Sequence, residues 1–159
     1  MSPRPIWLPE IIECGGKWEE TLARLYAVFE RDFVHGRPHL RDRKILWDQR
    51  VSPGESYSEG FWHLISRSEP ESGDRIPEFR RSERLCWCRP MLDNTEEPEI
   101  KLWDAFTSGK LRTYLWLEDE DFVLVLEKKG PKKAFLITAY HLDGESSRRK
   151  LRNSYANRV

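Results

Sequence analysis

This chain lacks net charge: its 27 Lys and Arg residues are balanced by 27 Asp and Glu. The whole-molecule attraction that many nucleic-acid binders use is therefore missing, and any site for a polyanion must be a local patch. Cysteine is scarce and odd in number, at three. Cys86 and Cys88 are too close in sequence for a comfortable bridge, so no disulfide framework is expected. Neither Cys86-Trp87-Cys88 nor the four scattered histidines supplies the paired ligand spacing of a zinc site, and the thiols read as buried groups beside Trp87. Long hydrophobic runs are absent too. Met1-Ser2-Pro3-Arg4-Pro5 is followed only by Ile6-Trp7-Leu8, which does not resemble a signal peptide, and nothing approaches the ~20 apolar residues that span a bilayer. A cytoplasmic location is expected. The chain has no P-loop, dinucleotide fingerprint, GxSxG elbow or HExxH motif, which argues against nucleotide-cofactor, serine-hydrolase and zinc-protease chemistry. No cofactor is expected, and no internal repeat or low-complexity segment is visible.

Aromatic residues are what the chain has in quantity. Seven Trp, seven Phe and five Tyr within a composition 38% hydrophobic and 34% charged point to an aromatic core under a strongly solvated surface. At 159 residues a single domain suffices. Trp18, Leu22, Leu25, Tyr26, Phe29 and Phe33 recur at three- and four-residue intervals and predict a core-packing helix over 17–33. Gly36 and Pro38 end it. Leu40, Ile45, Leu46 and Trp47 predict a strand over 40–47, and a second helix is expected over 58–67. Tyr114 to Leu117, Phe122 to Leu126 and Ala134 to Leu142 are apolar runs joined by short polar links, which predicts an antiparallel meander. A closing basic helix is expected over 146–157, with Leu151 and Tyr155 on its packing side. Helices first and a meander later give an α+β class.

Four segments could carry chemistry. On the helix over 58–67, Phe61, Trp62, Leu64 and Ile65 share one arc while His63 and Arg67 fall on the other, which makes His63 a candidate general acid or base. The competing reading is a surface histidine. Arg81, Arg84 and Arg89 lie in an arginine-rich stretch over 75–89, where guanidinium groups can bind phosphate and stabilise a phosphorane; the competing reading is ion pairing with Asp74, Glu78 and Glu83. Strict alternation along 134–142 places Thr138 and Tyr140 on one face with Ala134, Leu136 and Leu142, opposite Phe135, Ile137 and Ala139. Both hydroxyls then either touch a phosphate or are satisfied at the edge of a core. Lys128, Lys129, Lys132 and Lys133 form a hairpin that can hold a nucleic-acid backbone without sequence preference, or can simply solubilise a turn.

The succession Phe61-Trp62-His63-Leu64-Ile65-Ser66-Arg67, Phe79-Arg80-Arg81-Ser82-Glu83-Arg84, Trp87-Cys88-Arg89-Pro90, Phe135-Leu136-Ile137-Thr138-Ala139-Tyr140 and Lys150-Leu151-Arg152 resembles the phage-associated nucleases of the barnase, EndoU, colicin and RelE superfamily. The resemblance runs from about residue 60 to the C-terminus, with 1–59 as a helical N-terminal part. It implies N-terminal helices packed on a small antiparallel sheet and a metal-independent ribonuclease. In that picture His63 is the acid/base, Arg81 and Arg84 hold the phosphate, Thr138 positions it and Tyr140 assists, with Arg67 and Arg89 as further RNA contacts. RNA, including transfer or ribosomal RNA, is the implied substrate, and an antitoxin or immunity protein the implied partner. Two other readings remain open: a non-catalytic RNA-binding or ribosome-associated module, and a structural or protein-interaction domain.

Overall fold

The computed structural model of the chain describes residues 3–159. Helix α1 (Trp18–Phe29) buries Leu25 and Phe29 and carries Glu19 and Glu20 in its first turn, where the helix dipole favours acidic groups. It widens into one π-helical turn, Glu30–Val34, which buries Phe33. A hairpin of β1 (His39–Leu40) and β2 (Arg43–Leu46) follows, where a single strand over 40–47 was expected; Arg41 turns the chain with φ 55°. Helix α2 (Glu59–Ile65) starts at Ser58, whose hydroxyl accepts from the Phe61 N–H at 3.4 Å. It stops short of Arg67, which lies instead in β3 (Ser66–Ser68), paired antiparallel with β4 (Arg75–Pro77). Short helices α3 (Phe79–Glu83) and α4 (Cys88–Asp93), linked by a 3-10 turn over Leu85–Trp87, complete this half.

The second half is the expected meander with one strand more. Strands β5 (Ile100–Thr107), β6 (Lys110–Leu117), β7 (Phe122–Lys129) and β8 (Lys133–His141) pair antiparallel in succession, and α5 (Glu145–Ala156) closes the fold. The β5–β6 turn places Ser108 and Gly109 at φ 51° and 79°, a two-residue hairpin of the kind that matches strand twist.

The expected architecture of N-terminal helices on a small antiparallel sheet is incorrect in two respects. The sheet has six strands in the order β1-β2-β8-β7-β6-β5, it is mixed because β2 runs parallel to β8, and it curls into a half-barrel. Both its faces are covered. The larger core joins Leu115, Leu117, Phe122, Leu124 and Leu126 to Leu25, Phe29, Phe61, Leu64 and Trp87 from the N-terminal layer. A second core of Trp103, Tyr114, Trp116, Val123, Val125 and Leu142 is capped by Leu151 of α5. Cover on both sides is why 122–126 is buried without alternation.

Strict alternation along β8 also fails. Val125 pairs with Thr138 while the next residue, Leu126, pairs with Leu136, so Ile137 is an extra, bulged residue. A one-residue slip exchanges the faces beyond it. Ala139 therefore joins Ala134 and Leu136 in the larger core, while Ile137, Tyr140 and Leu142 belong to the second.

Candidate functional site

Helix α2 is short, and its last carbonyls need donors because a helix end leaves them unpaired. Two side chains from distant elements supply them. Thr138 Oγ1 donates to the His63 carbonyl at 3.0 Å. Arg81 Nη1 donates to the Ser66 carbonyl at 2.8 Å and to that of His63 at 3.3 Å, and stands 3.5 Å from Thr138 Oγ1. A cation here also complements the negative end of the helix. Ser82 Oγ adds a bond to the Ile65 carbonyl at 2.9 Å. His63, Arg81 and Thr138 thus meet at one point, through the main chain of His63 rather than through its ring.

The imidazole lies half-buried beside this junction. Its Nε2 is 3.8 Å from Glu59 Oε2, and Arg75 Nη2 is 3.8 Å from the same oxygen. Burial, followed by the Arg75 guanidinium, pushes the His63 pKa below its ordinary value; Glu59, Asp48 and the Ile137 backbone oppose the shift without reversing it. The ring is consequently neutral near pH 7 and can accept a proton. Tyr140 is pushed up to about 12, chiefly by burial and then by Tyr114, with Arg81 opposing. Its phenol therefore stays protonated near neutral pH. Arg67 reaches Glu78 at 3.9 Å and is half exposed. The junction therefore offers a neutral base and several guanidinium groups around the end of α2, with Tyr140 two residues beyond Thr138 on β8.

Other expected site residues are engaged elsewhere. Arg84 lies over the Trp87 ring, 5.1 Å from its centroid, donates to the Arg80 carbonyl at 3.1 Å and has a sealed, unpartnered Nε. Arg89 binds Asp93 at 3.0 Å and donates Nη1 to the carbonyls of Asp32 and Gly36 at 3.0 and 2.7 Å, a clamp on the turn after α1. Lys128 pairs with Asp104 and Lys129 with Glu127, each at 2.9 Å. The Lys132 carbonyl accepts from the Lys44 N–H, and Lys133 stands opposite Lys44 across the parallel pair. These lysines crown the sheet end where β7 turns into β8.

Arg75 and Glu59 are the members of the junction that residue-level reading left without a role. Glu59 stands four residues before His63, the spacing that puts two side chains together on a helix. Arg75 opens the arginine-rich stretch, but only the β3–β4 pairing brings it to α2. No family model, curated protein or solved structure matches the chain. Among the described residues no helix is long and apolar enough to cross a membrane.

Proposed function

We propose that the protein is a metal-independent RNA endonuclease that cleaves by transphosphorylation. The observation carrying this reading is that Arg81 and Thr138 meet at the His63 carbonyl at the end of α2 while the His63 imidazole stands beside Glu59, which Arg75 also approaches. His63 takes the proton of a substrate 2′-hydroxyl, whose oxygen attacks the adjacent phosphorus. Arg75 and the Arg81 nitrogens not bonded to carbonyls stabilise the charge that builds on the phosphorane. The bond to the 5′-oxygen then breaks, with the Tyr140 hydroxyl hydrogen-bonding the departing oxygen as it is protonated from water. The products are a 2′,3′-cyclic phosphate and a 5′-hydroxyl. Such an enzyme would act in the cytoplasm, on transfer or ribosomal RNA among possible targets, and would need an antitoxin or immunity protein to restrain it.

The decisive experiment incubates the purified protein with total RNA, with and without EDTA, and maps the ends. Cleavage in EDTA with cyclic-phosphate ends supports the mechanism; unchanged cleavage of an all-deoxy substrate overturns it. One observation favours a second reading, a non-catalytic RNA-binding module: Arg81 Nη1 is already committed to main-chain carbonyls. Salt-dependent RNA binding with intact RNA would select that reading.

A further inference from the structure

A cleft of about 670 Å³ opens between α5 and the strands β5, β6 and β8, and Tyr140, two residues after Thr138 on β8, lines it. Its size is that of a small-ligand site, for which roughly 300–1,000 Å³ is typical. We propose that this cleft is a subsite for a nucleoside of single-stranded RNA adjacent to the scissile phosphate; the assignment rests on the ribonuclease reading above.

Three features of the lining carry it. Phe106 stands at the rim and is 67% exposed, whereas its neighbour Ala105 is buried in the second core. An aromatic face left in solvent at the mouth of a cleft is a platform on which any base can stack. The α5 wall presents Lys150, Asn153 and Asn157, spaced three and four residues apart and so aligned along one side of the helix. Asn157 spends an amide N–H on the Asn153 carbonyl at 2.9 Å, which leaves its side-chain oxygen to accept from a base edge. The Asn153 amide makes no side-chain hydrogen bond among the described residues.

Of the basic residues on α5, Lys150 is the one that lines the cleft. Arg148 is held by Asp121 at 2.8 Å, and Arg152 by Glu145 and by Glu118 at 3.8 Å. Lys150 has no carboxylate partner among the described residues, and it faces the cleft. The one acidic side chain of the lining, Asp143, is offset by Arg80 at 3.2 Å. A cation, two amides and an exposed aromatic around one cavity match the phosphate, the base edge and the base face of a nucleotide. Strand β8 links this cavity to the junction: Thr138, 3.5 Å from Arg81 Nη1, and Tyr140, which lines the cleft, stand two residues apart on it.

The test measures binding apart from chemistry. A fluorescein-labelled RNA hexamer of mixed sequence, with 2′-fluoro groups replacing every 2′-hydroxyl, cannot be cleaved by the proposed route and is titrated by anisotropy. Phe106→Ala and Lys150→Ala should each weaken binding about fivefold or more, as loss of a stacking platform or a phosphate contact does. Val34→Ala, an exposed apolar change outside the cleft, should leave it within twofold. Thermal melts matching the unmodified protein show that the variants remain folded. Unchanged affinity in both cleft variants, or no measurable binding by the parent protein, overturns the subsite. Cleavage of all-ribose RNA is scored in parallel, so the two failures separate. Cleavage with unchanged affinity in the variants removes the subsite and keeps the enzyme, whereas weakened affinity without cleavage keeps the subsite and removes the enzyme.

Discussion

Arg81 shows how one side chain can be structural and chemical at once. Its guanidinium satisfies carbonyls at the end of α2, and buried carbonyls that lose a charged donor cost about 1.5–3 kcal/mol. Arg81→Ala should therefore lower unfolding stability by about that amount in urea denaturation as well as reduce turnover. Arg75 separates the two effects. Its ion pair is a single 3.8 Å approach to Glu59 at a quarter-exposed position, so Arg75→Ala should change stability by less than about 1 kcal/mol. In single-turnover assays it should cost roughly 10²-fold or more in cleavage if it stabilises the phosphorane. His63→Ala should lower cleavage by about 10²- to 10⁴-fold with the fold intact, the range for loss of a general base. His39→Ala should leave the rate unchanged, since that exposed ring only meets the Arg37 carbonyl at 3.0 Å. Residue type and order single out His63, Arg81 and Thr138, the three that meet at the end of α2. They do not single out Arg75, because its distance from α2 is set by the pairing of β3 with β4 and not by any spacing in the chain.

Packed elements depend on contacts that no helical or strand period encodes. The turn after α1 is pinned by Arg89, and Gly36 makes that possible: a Cβ there would lie 2.5 Å from Arg89 Nη1 and 2.6 Å from the Arg31 carbonyl. Gly36→Ala must displace the arginine or the backbone, so a loss of about 1–3 kcal/mol is expected, as for other overpacked sites. Arg89→Ala should destabilise as well, while leaving RNA affinity at a given salt concentration unchanged, since its donors are already used inside the protein. Equal loss of affinity and stability would return Arg89 to the RNA-binding set. In β8 the bulge at Ile137 does similar work on a smaller scale. It directs Tyr140 to the second core and its cleft, and Ala139 to the first.

At the scale of the molecule, the two depressed histidines make stability depend on pH. Burial and then Arg75 lower His63, and burial and then Arg84 lower His141. As pH falls, the unfolded chain takes up these protons first, near the ordinary histidine value of about 6.5. The stability contribution is thus present above that value and is lost as pH falls through it toward the lower folded values. The urea midpoint should drop between pH 7.5 and 5.5, and the drop should shrink in His63→Ala; a flat profile would show that the imidazole titrates as in water. Asp48 keeps its window apart, because hydrogen bonds from Arg50 hold it down to about 2. Cleavage should lose rate at more acid pH than stability begins to, as pH falls through the lowered folded value of His63, since only the neutral imidazole can take the proton.

The sequence by itself determined what depends on near neighbours. The three- and four-residue spacing from Trp18 to Phe33 gives α1 and the turn beyond it, the apolar runs with short polar links give β6, β7 and β8, and Leu151 with Tyr155 gives α5. The same local pattern missed β5, whose residues 100–107 mix Lys101 and Asp104 with Trp103 and Phe106 and become a strand by pairing with β6. Tertiary structure decided the parallel joining of β2 to β8, the bulge at Ile137, the capping of α2 by Arg81 and Thr138, and the cleft under α5. Each of these sets groups far apart in the chain against one another, and the free energy that fixes them, buried area and satisfied carbonyls, exists only once both partners are in place.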